Sequence, residues 1–255
     1  PVNSHSYYDG LVSVDTAIAE SLNPCAVRVV EALGIQESYD FMTEKLGFSS
    51  LVSSEDNPDR NDMNSASLGL GGLTRGVSTV EMAAAYAIFP NNGVYNEPRT
   101  YTKITDQDGN VILDNTSDSW QAVDEVTAYF MNNYLRQVIT SGTGGSAGFS
   151  GMTVAGKTGT TTDNYDRYFV GYTPYYVAAV WTGYEKNIKI NASGNPSAKL
   201  FRQVMSKVHA NLPNKSFSTP DGGMTRVTVC MDCGNLASDL CASDIRGSRV
   251  RQVLV

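Results

Sequence analysis

The sequence predicts an α+β fold in which an antiparallel central sheet is packed between helices. The order of the segments carries this prediction: amphipathic helices occupy most of the first 140 residues, short apolar and aromatic runs follow between 153 and 183, and a further helix closes the pattern at 197–210. This order is typical of layered α+β domains. With 255 residues, 41% hydrophobic and 18% charged, the chain is long enough for one large domain and a small appendage.

The first two predicted helices meet at a corner. Residues 12–22 repeat apolar side chains at helical spacing, and the Asn23-Pro24 pair interrupts that pattern. Pro24 suits the first turn of a second helix with Asn23 as its cap, and Gly34 suits the end of that helix. The corner between the helices therefore carries Ser21, two residues before Asn23.

The remaining elements follow from the same periodicities. Further helices are predicted at residues 38–46, 79–89, 125–140 and 197–210. Strands are predicted at 153–160, 167–173 and 176–183, and a hairpin at 101–105 and 111–113 around Asp108-Gly109. Residues 49–65 are polar and rich in turn formers, and they predict a loop. In the helix at 197–210 the predicted buried stripe is Leu200, Phe201, Val204, Met205 and Val208.

The charge and hydropathy of the chain limit its partners. A net charge of −7, from 19 Lys and Arg against 26 Asp and Glu, argues against nucleic acid, since phosphate binding depends on clustered cations. No window approaches the ~18 consecutive apolar residues of a membrane-spanning helix. Because the chain opens on Pro-Val-Asn rather than Met, it has the character of an internal fragment, and an anchor or export signal is expected upstream.

A domain boundary is predicted near Pro213, where the chain becomes rich in Pro, Ser and Gly. We expect one domain at residues 1–212 and a C-terminal extension at residues 213–255. The extension holds a cluster of cysteines, whereas Cys25 stands alone in the larger domain.

The clustered cysteines are Cys230, Cys233 and Cys241. A zinc site would lack a fourth ligand, because neither His5 nor His209 has suitable spacing. A disulfide is the favoured interpretation, with buried free thiols as the alternative. No metal and no cofactor is expected.

Two short motifs carry the chemistry. Lys157-Thr158-Gly159 follows a predicted strand, and Ser21-x-Asn23 lies at the interhelical corner upstream of it. Each motif alone has a structural explanation: a lysine that faces solvent from a strand, and an asparagine that caps a helix. Their occurrence together, in this order and in matching local structure, favours the signatures of serine β-lactamases and penicillin-binding proteins.

Longer stretches around these motifs resemble the transpeptidase domain of class A penicillin-binding proteins. The stretches are 10–34, 76–93, 141–144, Ala-Gly-Lys-Thr-Gly-Thr-Thr at 155–161, Tyr-Phe-Val-Gly-Tyr-Thr-Pro at 168–174 and Val-Trp-Thr-Gly-Tyr at 180–184, and the similarity covers most of residues 7–210. The resemblance implies a β-lactamase/transpeptidase-like fold. It also implies a D,D-transpeptidase that cross-links peptidoglycan stem peptides through a serine acyl-enzyme and that β-lactam antibiotics inhibit covalently.

The resemblance has consequences for the rest of the protein. It implies a glycosyltransferase domain in the full-length protein and a location at the extracytoplasmic face of the bacterial cell membrane, anchored by a segment outside these residues. The stretch from 229 to 241 resembles a short cysteine-containing extension found after this domain in some Gram-positive members. That similarity implies a disulfide between Cys230 and Cys241.

The resemblance also implies roles for individual residues. By this resemblance the catalytic residues are Ser21, Asn23 and Lys157, and the substrate-binding residues are Thr158, Gly159 and Thr160. The backbone N–H of Thr160 would stabilise the oxyanion, and the hydroxyls of Thr158 and Thr160 would bind the substrate carboxylate beside the positive charge of Lys157. Ser21 would pass a proton between Lys157 and the leaving group, and Asn23 would hold the substrate amide.

One signature of the family is missing. None of the lysines has a serine three residues before it, so there is no Ser-x-x-Lys in the sequence, and the family places that motif a few tens of residues before Ser-x-Asn. The nucleophilic serine is therefore expected before Pro1. A β-lactamase-like hydrolase and a noncatalytic peptide- or β-lactam-binding sensor remain as alternatives.

Overall fold

The structure, a computed structural model, describes residues 10–245, 247 and 249–255. The helices are α1 (Val14–Ala19), α2 (Asn23–Leu33), α3 (Ile35–Asp40), α4 (Ser65–Leu70), α5 (Thr79–Ala87), α6 (Glu125–Thr140), α7 (Pro196–Val208) and α8 (Asp239–Ala242). The strands are β1 (Val94–Asn96), β2 (Lys103–Thr105), β3 (Val111–Asp114), β4 (Ser119–Gln121), β5 (Ala155–Thr160), β6 (Asp166–Tyr172), β7 (Val177–Gly183), β8 (Arg226–Cys230) and β9 (Val250–Leu254). Residues 7–9 of the family resemblance lie outside the described residues.

The chain divides into two compact units, Pro1–Ser218 and Thr219–Val255. The sequence places its boundary near the same point, at Pro213. The division into a transpeptidase domain at 1–212 and an extension at 213–255 stays a prediction.

The disulfide that the resemblance implies between Cys230 and Cys241 is not formed in the structure. Both cysteines are free thiols, as are Cys25 and Cys233.

A three-stranded antiparallel sheet in the order β5-β6-β7 lies at the centre of the first unit. One face of this sheet packs on α7, where Phe169 meets Phe201 and Met205. The opposite face packs on α6, where Ala155 and Tyr172 join the cluster of buried α6 side chains. The prediction of an antiparallel sheet between helices is thereby confirmed.

The helical corner is held against α6. Helix α1 packs on α6, and α2 packs on α4. The approach of α2 to α4 is close at Gly69, where an added Cβ would lie 3.5 Å from the backbone carbonyl of Ala26. The corner between α1 and α2 therefore has a fixed position beside the edge of the sheet that β5 forms.

The predicted buried stripe of α7 is partly wrong. Phe201 and Met205 are buried, but Leu200, Val204 and Val208 are each about half exposed, at 48%, 49% and 48%. The side chains that face the sheet include Ser197 and Ala198, whose small size lets the helix approach closely. The exposed apolar row lies one position further round the helix, so a hydrophobicity pattern alone does not separate the two rows.

Several element boundaries differ from those predicted. Helix α6 has the predicted limits, and α5 begins where predicted, but α1 ends earlier at Ala19. Helix α3 begins at Ile35 and continues into a π-helical turn at Phe41–Lys45. The pair β1 and β4 was not predicted, because three-residue strands carry too little alternation to be recognised.

The second unit contains a two-stranded antiparallel sheet of β8 and β9. Its strands pair from Arg226 opposite Leu254 to Cys230 opposite Val250. The sequence predicted neither strand. The Pro, Ser and Gly content of the segment before β8 obscured the alternation that follows it.

Candidate active site

Strand β5 presents Lys157, Thr158, Gly159 and Thr160 along an edge of the central sheet. Gly156, just before them, has to be a glycine for steric reasons, because a Cβ there would lie 2.5 Å from the backbone oxygen of Val170. The strand can therefore lie close to β6 while its other edge stays open among the described residues.

The register of β5 against β6 decides which backbone groups face the open edge. Thr161 N donates to Asp166 O, so these two residues form a hydrogen-bonded pair. Along an antiparallel ladder, hydrogen-bonded pairs alternate with pairs whose backbone groups point outward. Lys157 and Gly159 therefore bond to β6, whereas the N–H and C=O groups of Thr158 and Thr160 point away from it. The N–H of Thr160 therefore points toward the open edge, where it can donate a hydrogen bond.

Ser21 follows Glu20, the C-cap of helix α1, and has a left-handed conformation with φ of 59°. Ser21 N donates to Ile18 O at 3.2 Å and Leu22 N donates to Ala17 O at 2.9 Å, which are the two bonds of a Schellman motif. Glycine is the usual residue at this position, because a Cβ is disfavoured there. A serine in this position therefore brings its hydroxyl to the corner at the cost of some backbone strain.

The two motifs meet through a hydrogen bond from Lys157 Nζ to Ser21 Oγ, at 2.7 Å. Lys157 Nζ also donates to Thr158 O at 3.1 Å, one of the carbonyls that face the open edge. Burial lowers the pKa of Lys157 from its ordinary 10.5 to about 8. The Lys157 amine therefore lies beside the Ser21 hydroxyl and holds its proton less tightly than an exposed lysine does.

Asn23 lies in the first turn of α2, two residues after Ser21. The interpretation of Asn23 as the cap of this helix is wrong, because α2 begins at Asn23 itself and its N-cap is Leu22. The side chain is only partly buried. The structural alternative for this motif residue is thereby weakened.

Thr143 was not among the predicted site residues, although it lies in a stretch that carries the resemblance. Thr143 Oγ1 and Thr158 Oγ1 are hydrogen-bonded at 2.8 Å, and Thr143 N donates to Ala19 O at 3.2 Å. Gly142 before it has no room for a side chain, since a Cβ would lie 2.2 Å from Ala19 O. Thr143 therefore joins the end of α1, which carries Ser21, to strand β5.

The site thus brings together residues that are far apart in the sequence. Ser21, Lys157, Thr158 and Thr143 are connected by hydrogen bonds. Thr160 lies two residues further along β5, where its hydroxyl accepts from Arg167 Nη1 at 3.2 Å.

Among the residues that the structure describes, no group of His, Cys, Asp and Glu is arranged to hold a metal ion. Within the same residues, no helix is both long and apolar enough to cross a membrane.

A family model for the penicillin-binding protein transpeptidase domain matches residues 2–206. Among curated proteins, the chain is 36% identical to penicillin-binding protein 1A of Clostridium acetobutylicum over 89% of its length, and 36% identical to that of Clostridium botulinum over 98%. The chain spans only 27% and 29% of the length of these two relatives.

Solved structures share the fold. Penicillin-binding protein 1A of Haemophilus influenzae matches 99% of the chain with a TM-score of 0.74 at 20% identity, and the chain covers 41% of it. PonA1 of Mycobacterium tuberculosis matches 87% with a TM-score of 0.70 at 25% identity, and 62% of it is covered. The D,D-transpeptidase domain of a peptidoglycan glycosyltransferase of Eggerthella lenta matches 81% with a TM-score of 0.62 at 22% identity, and 55% of it is covered.

Proposed function

The chain belongs to the penicillin-binding protein transpeptidase domain family, and from that premise we propose that residues 1–212 form most of a serine-type D,D-transpeptidase site. Its reaction cross-links peptidoglycan stem peptides through a nucleophilic serine, and β-lactams acylate that serine. The nucleophile attacks the penultimate D-Ala carbonyl carbon and the terminal D-Ala leaves. The amine of a second stem peptide then takes the acyl group.

The contact that carries this proposal is the hydrogen bond between Lys157 Nζ and Ser21 Oγ at 2.7 Å. When the carbon–nitrogen bond of the substrate breaks, the departing amine needs a proton. The Ser21 hydroxyl delivers that proton, and Lys157 replaces it on Ser21. An amine with a pKa of about 8 can lose and regain a proton near neutral pH, which an ordinary lysine does poorly.

The open edge of β5 supports the remaining roles. The outward-facing N–H of Thr160 stabilises the oxyanion that forms at the attacked carbonyl. The hydroxyls of Thr158 and Thr160, with the charge of Lys157, bind the terminal carboxylate of the substrate. Asn23 holds the substrate amide through its donor and acceptor groups, and Gly159 keeps the strand free of a side chain between the two threonines.

The nucleophile itself comes from a Ser-x-x-Lys segment outside these 255 residues. Ser21 is not that serine, because Pro24 rather than lysine stands three residues after it and its hydroxyl, bonded to Lys157, already has the proton-transfer role. The full-length protein also carries a glycosyltransferase domain and a membrane anchor that keeps the site at the extracytoplasmic face, where stem peptides lie. The short span of the chain relative to proteins named penicillin-binding protein 1A supports this organisation.

Acylation of the full-length protein by a labelled penicillin tests the function. We expect a covalent adduct that persists far longer than the acyl-enzyme of a β-lactamase. The Lys157→Ala variant should fold, but penicillin should acylate it at least ~100-fold more slowly, because a proton-transfer group is lost. Rapid hydrolysis of the adduct would favour a β-lactamase-like enzyme. Reversible binding without an adduct would favour a sensor, and a Lys157→Ala variant that acylates at the parent rate would remove Lys157 from the mechanism.

A further inference from the structure

Arg167 lies on β6 beside the proposed carboxylate-binding hydroxyl of Thr160. The two residues stand directly opposite each other in the pairing of β5 with β6. Thr161 N donates to Asp166 O, so the next pair along the ladder is a non-hydrogen-bonded pair, in which opposite side chains come closest together. Arg167 Nη1 accordingly donates to Thr160 Oγ1 at 3.2 Å.

The charge of Arg167 is not balanced by an ion pair with any acidic side chain that the structure describes. Asp166, its neighbour in the chain, uses its two carboxylate oxygens elsewhere: they accept from Trp181 Nε1 at 2.8 Å and from Thr161 Oγ1 at 2.9 Å. Arg167 Nε is buried and donates to no acceptor among the described residues. A partly buried cation without a counter-charge is unfavourable, and a bound anion reduces that cost.

The backbone at Arg167 is fixed by helix α7. Arg167 O accepts from Ser197 Oγ at 2.8 Å, and Ser197 lies fully buried in the first turn of α7. The same hydroxyl is bonded to Thr182 Oγ1 on β7 at 2.7 Å. The guanidinium therefore extends toward Thr160 from a backbone position that the fold holds in place.

The bond from Arg167 makes the Thr160 hydroxyl a donor toward other groups. A guanidinium has N–H donors and no acceptor, so Thr160 Oγ1 accepts in this bond. The hydroxyl hydrogen of Thr160 is then left to donate elsewhere, and the Thr160 side chain is exposed. A carboxylate oxygen that accepts this hydrogen, at about 2.7 Å from Oγ1, lies within about 6 Å of Arg167 Nη1. Opposite charges attract at that distance where solvent is partly excluded.

We propose that Arg167 is a specificity-determining residue of the transpeptidase site. Its guanidinium supplies a positive charge in addition to that of Lys157, and it orients the Thr160 hydroxyl toward the substrate. The two effects together select substrates and β-lactams that carry a free carboxylate over neutral analogues. This inference rests on the proposed function and adds to it a source of selectivity on β6.

Two labelled probes, a penicillin and its methyl ester, test this selectivity in the full-length protein. The ester has the same ring system but no negative charge. We expect Arg167→Met to slow acylation by the penicillin on the order of tenfold, because a charge-assisted contact is lost, and to leave acylation by the ester nearly unchanged. The ratio of the two rates separates recognition of charge from a general disturbance of the site, which would slow both probes alike.

Further variants isolate the charge. Arg167→Gln removes the charge but keeps an N–H donor for Thr160 Oγ1, so it should lose the same selectivity, and it is the neutral variant to measure if Arg167→Met does not fold. Arg167→Lys retains the charge and should keep most of the selectivity. Arg202→Met is the matched control, because Arg202 is an exposed arginine of α7, and it should leave both rates unchanged.

The outcomes distinguish this inference from the proposed function. A folded neutral variant of Arg167 that keeps the parent ratio of the two rates would overturn the role of Arg167. If the parent still forms an adduct with the penicillin in that case, the transpeptidase proposal stands and only this inference fails. A parent protein that forms no adduct would reject the proposed function and this inference with it.

Discussion

Ser21 occupies a backbone conformation that glycine adopts more readily, and its hydroxyl is held at 2.7 Å from the Lys157 amine. The left-handed conformation costs a residue with a Cβ roughly 1 kcal/mol. Such strain persists when the side chain is needed in that place. The turn that closes α1 and the contact with Lys157 therefore depend on the same residue.

Two substitutions separate these effects. Ser21→Gly and Ser21→Ala both remove the hydroxyl, but only glycine relieves the strain. We expect the glycine variant to have an unfolding free energy about 1 kcal/mol higher than the alanine variant, measured by denaturant titration. Both should acylate far more slowly than the parent in the full-length protein. Equal stabilities would show that the left-handed conformation is not maintained, and unchanged acylation would exclude Ser21 from proton transfer.

Thr143 acts on the same site from the loop after α6. Its hydroxyl is bonded to that of Thr158, so one of the two donates to the other and fixes where the remaining proton points. The side chain of Thr143 is exposed, so its main effect is on Thr158 rather than on the core. We therefore regard Thr143 as a positioning residue for the Thr158 hydroxyl, which we propose to bind the substrate carboxylate.

Thr143→Val keeps the shape of the side chain and removes the hydroxyl. We expect acylation by penicillin to slow about tenfold, which corresponds to a lost hydrogen bond of about 1.4 kcal/mol, with little change in thermal midpoint. Thr143→Ser should restore most of the rate. Combining Thr143→Val with Thr158→Val should add little to the Thr158→Val effect, because the two hydroxyls share one bond. Fully additive losses would mean that Thr143 acts elsewhere.

Ser21 and Lys157 could be predicted from the sequence because each belongs to a motif of three consecutive positions. It did not single out Thr143, because the bond to Thr158 depends on how the loop after α6 returns to the sheet. A threonine between Gly142 and Gly144, directly after a long helix, was the available signal. The conformation of Ser21 also had no signal, since the expected residue there is glycine.

At the level of secondary structure, α6 could be predicted to the residue because it is long and its buried positions recur at helical spacing. The predicted stripe of α7 was partly wrong, because two apolar rows lie side by side and only contact with the sheet distinguishes them. The short pair β1 and β4 could not be predicted, since its stability comes from packing such as that of Tyr95 on Trp120 rather than from local preference.

Helix α5 is fixed at its start by Glu81. One carboxylate oxygen accepts from Ser78 N at 2.8 Å, and the other accepts from Ser49 N at 2.8 Å and Ser50 N at 3.0 Å. Burial acts to raise the pKa of Glu81, but the hydrogen bonds from Ser78 and Ser49 outweigh it and lower the pKa from 4.5 to about 2. One side chain therefore caps α5 and also ties to it residues 49 and 50, which lie before α4 in the chain.

Glu81→Gln should lower the unfolding free energy of the chain at neutral pH by about 1 kcal/mol, in the range of a lost helix cap. Because the folded-state pKa is depressed, the ionised Glu81 contributes fully above pH 4.5, and this contribution is lost as the pH falls toward 2. The difference between parent and variant, measured by denaturant titration, should shrink over that interval. Glu55→Gln, at an exposed glutamate, is the control. A difference that is constant with pH would contradict the role of the carboxylate.

At the scale of the whole molecule, the site contains the Ser-x-Asn and Lys-Thr-Gly motifs but not Ser-x-x-Lys, which we propose to supply the nucleophile from outside these residues. The corner with Ser21 and the strand with Lys157 meet without it, because α1, α6 and β5 hold one another through Ala19, Thr143 and Thr158. A fold that assembles these parts could be predicted from the order of helices and strands. The hydrogen bonds within the site could not be predicted, because they depend on the spatial distances between residues that are far apart in the sequence.

Covalent labelling can locate the nucleophile. If a Ser-x-x-Lys segment outside these 255 residues supplies it, a labelled penicillin should mark a peptide of the full-length protein in that sequence context, at the start of a helix. The 255-residue chain by itself should form no covalent adduct, because the proposed nucleophile lies outside it and the Ser21 hydroxyl, bonded to Lys157, serves in proton transfer instead. The measurement is peptide mapping of the labelled protein by mass spectrometry. Label on Ser21, or on any other serine between Pro1 and Val255, would require a different acyl-transfer mechanism.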